Sequence, residues 1–210
     1  MRRLAPRLLE WHARRPYATL APDGPLLVLP GVLDPVITKV GVWLARKVAE
    51  EARPGERWID MGCGTGVVGL ALAAKGCVVT CVDVDPRACR ATAANAALRG
   101  LSVEVVQSDW FAALRGRRFD RVACNVPFWP GEPRGTFGRA MYAGPAFEAV
   151  HAFVAGFAEV ADEARVVLSE RSPDPAGARA ALGPTARLLA RERVRGEWLV
   201  LYALSGDRRA

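Results

Sequence analysis

Residues 57–84 restrict the fold more than any other stretch. There "RWIDM" is followed by "GCGTG", then "VVGLALAAKG", then "CVVTCVDV". A short apolar run, three alternating glycines, a helix-length apolar run closed by Gly76 and a β-branched run form a strand–loop–helix–strand unit. Two strands joined through one helix lie parallel in a single sheet, with the helix on one face. The alternation continues. "DPRACRATAANAALRG" reads as a helix with Pro86 in its first turn and Gly100 at its end, and "LSVEVVQ" and "FDRVACNV" read as strands. "GPAFEAVHAFVAGFAEVADEA" reads as a helix, "RVVLSE" as a strand and "PDPAGARAALG" as a short helix. "ARLLARERVRGEWLVLYAL" ends the pattern as two strands around Arg195-Gly196. The expectation is an α/β fold: a mostly parallel seven-stranded sheet, helices on both faces, and a C-terminal antiparallel hairpin.

Residues 1–54 read as an extension packed on a core formed by 55–210. Its start, "MRRLAPRLLEWHARRP", suits a short basic helix with Leu4, Leu8, Leu9 and Trp11 on one side. "YATLAPDGPLLVLPG" suits two short extended pieces around an Asp23-Gly24 turn, and a helix follows from Pro35 until "RPGE" breaks the chain. With 210 residues, 51% of them hydrophobic, the chain can bury one sizeable core. It has no run approaching the ~20 apolar residues of a membrane span.

The five cysteines lie in apolar segments without a CxxC pair. Cys77 and Cys81 are close, but no second pair or nearby histidine completes a metal site. All five read as small buried residues of a reducing, cytoplasmic compartment, and no metal is expected. His12 and His151 read as structural, and no Ser/His/Asp set is present. The net charge of +7 admits nucleic acid as a partner. The basic residues are almost all arginine and densest towards both ends.

The glycine loop points to a ligand. Gly62, Gly64 and Gly66 permit a sharp turn and close approach of backbone N–H groups. Asp83 ends the next strand, nineteen residues after Gly64, the distance at which a carboxylate takes ribose hydroxyls. Gly64, Gly66 and Gly69 also satisfy GxGxxG, so a dinucleotide must be weighed. Asp60 decides against it, because a carboxylate just before the loop repels a pyrophosphate. S-adenosylmethionine carries an α-ammonium and a sulfonium, which the same carboxylate favours.

"DMGCGTG", "VDVDP", "QSDWF" and "CNVPF" stand in the order and spacing of class I S-adenosylmethionine-dependent methyltransferases, which share a Rossmann-like fold. Within that superfamily the chain resembles the release-factor glutamine methyltransferase (HemK-like) group and its small-domain relatives, over roughly residues 55–170. The resemblance implies that Asp60 and the loop Gly62, Cys63, Gly64 and Gly66 hold the methionine end of the cofactor. It implies that Asp83 and Val84 meet the ribose and that Asp109 accepts from the adenine amino group, with Trp110 beside the ring. S-adenosylhomocysteine would be the product.

"NVPF", residues 125–128, takes the place of the family's N-P-P-Y motif. There an asparagine side-chain oxygen and the next carbonyl accept hydrogens from a planar NH₂, aiming its lone pair at the methyl. The resemblance thus assigns catalysis to Asn125, Val126, Pro127 and Phe128, with Asn125 also beside the cofactor. Val126 replaces the first proline but keeps its carbonyl. Phe128 replaces the tyrosine and keeps a face for stacking but no hydroxyl. The expected activity is methyl transfer to a planar nitrogen of a protein glutamine, a nucleobase or a small molecule. Two rival readings are an O-, S- or C-methyltransferase and a non-catalytic cofactor- or RNA-binding protein. "FWPGEPRGTFGRAMYAGP" reads as a substrate lid.

Overall fold

The computed structural model describes residues 15–206, so the basic helix expected at the N-terminus lies outside the described residues. A hairpin, β1 (Tyr17–Ala21) and β2 (Gly24–Val28), comes first. Ala21 pairs with Gly24, so its turn residues are Pro22 and Asp23, one place earlier than the sequence suggests. Helices α1 (Pro35–Thr38) and α2 (Val40–Glu51) replace the single helix expected here. Lys39 breaks the helix in the left-handed region, φ 59°, and its ammonium reaches the buried Glu197 at 3.1 Å. Asp34 caps α1, accepting from the N–H groups of Val36 and Ile37 at 2.7 and 3.2 Å. The Tyr17 hydroxyl donates to the same carboxylate at 2.9 Å and ties the hairpin to the helix.

The main sheet then builds by alternation: β3 (Arg57–Met61), α3 (Val67–Ala74), β4 (Val78–Asp83), α4 (Pro86–Leu98), β5 (Glu104–Gln107) and β6 (Phe119–Cys124). After β6 come α5 (Gly135–Met141), α6 (Glu148–Phe157), β7 (Ala161–Ser169), α7 (Pro175–Ala181), β8 (Arg187–Val194) and β9 (Glu197–Ser205). The strand order is β5-β4-β3-β6-β7-β9-β8. The first five are parallel, and β9 runs antiparallel to both β7 and β8. This is the Rossmann-like α/β sheet with its C-terminal hairpin.

Both faces are covered. Val40, Trp43, Leu44 and Val48 repeat at three- and four-residue spacing along α2 and bury one stripe. The α3 run "VVGLAL" is buried throughout, because it lies between α2 and the sheet. On the other face Phe153 and Phe157 of α6 pack with Leu114, Val166 and Leu182.

The helix expected over 144–164 is shorter. It ends at Phe157, and "ADEARVVLS" is strand throughout. Glu163 and Arg165 point the same way from β7 and pair at 2.9 Å, and Arg165 also grips Glu51 of α2 at 2.6 Å. Those charges find partners only in the assembled sheet, which local periodicity does not reveal.

Asn95 fixes the hairpin to the core. It is fully buried. Its Oδ1 accepts from Leu27 N–H at 2.7 Å, and its Nδ2 donates to Leu27 O at 3.0 Å and Thr65 O at 2.9 Å. One side chain thus completes the backbone of β2 and of the glycine loop. Asn95→Leu removes the partner of three backbone groups, the Thr65 carbonyl fully buried and the two Leu27 groups partly so. Urea denaturation should show a loss of about 3–5 kcal/mol, far above that of a surface substitution.

Candidate active site

A cavity of about 630 Å³ opens at the carboxyl ends of β3, β4 and β6. From β3 the chain builds outward to β4 and β5, then returns to place β6 on the opposite side. Such a reversal leaves a crevice between loops that diverge from neighbouring strands.

Asp60, the penultimate residue of β3, lies at the cavity wall and is 2% exposed. Its Oδ2 accepts from Gly69 N–H at 2.8 Å. A Cβ on Gly69 would lie 2.4 Å from Cys81 Sγ and 3.2 Å from that carboxylate oxygen. The glycine therefore lets α3 press onto β3 and β4 closely enough to satisfy Asp60. Burial pushes the Asp60 carboxyl up to about 7; the Gly69 bond opposes the rise and the nearby Asp83 adds to it.

Gly62, Cys63 and Gly64 line the cavity with Asp83 and Val84. Asp83 accepts from Gly64 N–H at 3.0 Å through Oδ2 and from Asp85 N–H at 2.9 Å through Oδ1. Burial raises its carboxyl as well, against the pull of those two bonds. Gly66 lies behind the wall, not on it. It starts α3 at φ 81°, and a Cβ there would meet Thr92 at 2.9 Å.

The loop's own amides are largely committed. Gly62 and Cys63 donate to Val82 O at 2.8 and 3.0 Å, Gly64 to Asp83, and Gly66 to Cys63 O at 2.7 Å. A loop so engaged, flanked by two carboxylates, repels a pyrophosphate and suits a ligand with hydroxyls and a positive charge.

Asp109 and Trp110 stand on the neighbouring wall. Asp109 is exposed; Trp110 is half-buried, with φ 47°, and meets Phe153 edge-to-face at 5.9 Å. Beyond β6, Asn125 and Pro127 line the cavity. The Asn125 Oδ1 atom is buried and has no hydrogen-bond partner. Val126 is fully buried in the core. Phe128 packs between the two apolar clusters and is not on the cavity wall; its carbonyl accepts from Ser172 Oγ at 2.9 Å.

Other lining residues carry no recognised motif. Val32, Pro35 and Thr38 come from the N-terminal extension, and Arg139 and Tyr142 from the segment read as a lid. Within that segment α5 is an element the glycine and proline content concealed. Arg87 joins these parts: its guanidinium pairs with Asp85 at 2.7 Å, touches the Thr136 hydroxyl and lies against Gly31.

The family described as "Methyltransferase small domain" matches residues 41–142, which hold the glycine loop, Asp83, Asp109 and Asn125. The matched segment is 102 of the 210 residues, so the likeness to that family covers just under half of the chain. The release factor glutamine methyltransferase of Salmonella typhimurium is 43% identical over 77 residues, 34% of this chain and 27% of that protein. The ribosomal RNA small subunit methyltransferase C of Alcanivorax borkumensis is 39% identical over 84 residues, 40% of this chain and 25% of that protein. The chain thus spans about a quarter of the length of these relatives.

Among solved structures, the 16S rRNA N2 G1207 methyltransferase of T. thermophilus, in complex with AdoMet and guanosine, superposes with a TM-score of 0.64. It is 20% identical, over 91% of this chain and 50% of that one. The ribosomal protein L11 methylase of Lactobacillus delbrueckii subsp. bulgaricus superposes at 0.56, 16% identical, over 80% and 79%. The methyltransferase fold is common to both. Among the described residues no helix is long and apolar enough to cross a membrane.

The raised Asp60 carboxyl sets a pH dependence for the stability of the ligand-free protein. The folded state holds its proton up to about 7, whereas an unfolded aspartate releases it near about 3.9. The protonated carboxyl's contribution is fully present below about pH 4 and is lost as pH rises through 7. Urea titrations should show Asp60→Asn gaining on wild type across that window, by on the order of 4 kcal/mol at its upper end. A constant gap would contradict a buried, proton-holding Asp60.

Proposed function

We propose that this protein is an S-adenosylmethionine-dependent methyltransferase that transfers a methyl group to a planar NH₂ nitrogen. The supporting observation is the buried, unpartnered Oδ1 of Asn125, a residue that lines the same cavity as Asp60 and Asp83. A buried amide oxygen without a donor costs free energy unless a ligand supplies one. An amide or exocyclic amine supplies that donor.

The donor set fits the cofactor. Asp60 offers a negative charge for the α-ammonium, and Asp83 offers lone pairs to ribose hydroxyls beside its bonds to backbone N–H groups. Asp109 and Trp110 would meet the adenine amino group and ring. Bound here, S-adenosylmethionine would supply a sulfonium methyl for transfer, leaving S-adenosylhomocysteine as the thioether product and releasing the nitrogen's proton to solvent. Asn125 accepts one hydrogen of the NH₂ and the Val126 carbonyl would accept the other. These bonds draw the nitrogen away from planarity and direct its lone pair. Pro127 restricts the backbone that presents both acceptors. The five free cysteines suit a reducing cytoplasm.

Calorimetry should show one S-adenosylmethionine or S-adenosylhomocysteine bound per chain and no comparable affinity for NAD. Asp83→Ala should weaken the binding by about 1.5–3 kcal/mol for each ribose bond lost. Asn125→Ala should lower turnover by roughly 100- to 1,000-fold while cofactor affinity stays near wild type. Full turnover in that variant would transfer the reading to an O-, S- or C-acceptor.

A further inference from the structure

Asn125 can orient an acceptor nitrogen, but something must hold the molecule that carries it. Phe128 is half-buried against both apolar clusters and does not line the cavity, so a ring on this wall comes from elsewhere. Tyr142 lines the cavity. Its backbone is held on both sides: Tyr142 N–H donates to Gly138 O at 2.8 Å, and Ala143 N–H to Trp129 O at 2.8 Å. Gly131 and Gly144 exchange bonds at 3.2 and 3.1 Å, closing a short ladder between the two flanks of the lid. A Cβ on Gly131 would lie 3.1 Å from the Tyr142 ring, so the ring rests against a bare glycine.

Arg139, three residues earlier in the last turn of α5, lines the same cavity. It is exposed and has no ion-pair partner among the described residues. Arg87 is paired with Asp85, while the Glu148 carboxylate accepts from Ala146 N–H at 3.1 Å and packs against Gly144. The lid itself carries two exposed cations, Arg134 and Arg139, and one exposed carboxylate, Glu132, while the exposed Asp109 and Glu148 carboxylates line the same cavity.

Resting on the reading of Asn125 above, we propose that the methyl acceptor is a nucleobase of a single-stranded nucleic acid. Tyr142 stacks on the base, and Arg139 pairs with a phosphate of the same strand. Three features on one cavity have to be matched together: an amide oxygen that needs an N–H, a flat ring and an unpaired cation. A nucleobase amine with its phosphodiester matches all three, whereas a glutamine side chain offers the N–H alone. The strand is single because an amine in a paired duplex has its hydrogens engaged and its faces stacked.

The test measures fluorescence anisotropy of a short mixed-sequence single-stranded RNA, and of the DNA of the same sequence, with S-adenosylhomocysteine present. Tyr142→Ala should weaken binding roughly 5- to 150-fold, the size of one lost stacking contact, and Tyr142→Phe should stay within about twofold of wild type. Arg139→Ala should lower the slope of log affinity against log salt by about one, and Arg139→Lys should restore it. The stronger-binding oligonucleotide then identifies the kind of strand. Affinities unchanged in both Tyr142→Ala and Arg139→Ala would overturn the proposal. So would methyl label from S-adenosylmethionine entering the protein fraction of a cell extract and not the nucleic acid. Failure of the methyltransferase reading looks different: no cofactor binding, or label in no fraction.

Discussion

A carboxylate is held at the floor of the cavity because α3 carries no side chain at Gly69. With any Cβ there the helix would collide with Cys81 and Asp60 and would have to stand farther from the sheet. Asp60 would then lose its backbone donor, and the turn from Met61 to Gly66 would lose its support. The close approach has an electrostatic result. It leaves a nearly dry carboxyl that keeps its proton until about pH 7 unless a cation arrives. Asp83, also raised by burial, stands one strand away. Two carboxyls short of positive charge, beside a loop whose N–H groups are spent, define the ligand by what they lack.

The parts around this floor are fixed by single side chains. Asn95 ties the hairpin and the glycine loop together from α4, so the N-terminal extension forms part of the cavity wall. Arg87 spans from Asp85 to the lid helix and the Gly31 turn. Both residues stand on α4, directly after the strand that ends in Asp83. Displacement of that helix would disturb the cofactor side, the lid and the extension together.

Much of this was legible in the sequence. The alternation of apolar runs with Gly and Pro stops predicted the sheet, because a parallel core strand and its covering helix are both locally apolar and sharply bounded. Asp60, Asp83 and Asn125 were legible because each stands at or next to the end of a strand, close to a glycine or proline turn. The literal GxGxxG misleads here: Gly69 serves packing against Asp60, not a pyrophosphate. Less visible were features whose partners lie far along the chain. The break at Lys39 is matched by Glu197, and the extension of β7 to Ala161 is matched by ion pairs with Arg121 and Glu51. Phe128 looks like a stacking ring in sequence; in the fold it is half-buried against both apolar clusters, and Tyr142 stands on the cavity wall beside a ladder of long-range backbone bonds that no local pattern marks.

The central claim, a buried carboxyl that awaits a cation, is tested most directly by the protons released on binding. S-adenosylhomocysteine should be titrated calorimetrically at pH 6.5 in several buffers of differing ionisation enthalpy. Asp60 is mostly protonated in the free protein at that pH and ionised once an α-ammonium lies against it. The account predicts release of roughly 0.5–0.8 proton per ligand bound, absent in Asp60→Asn. Binding with no dependence on buffer, or with proton uptake, would contradict it.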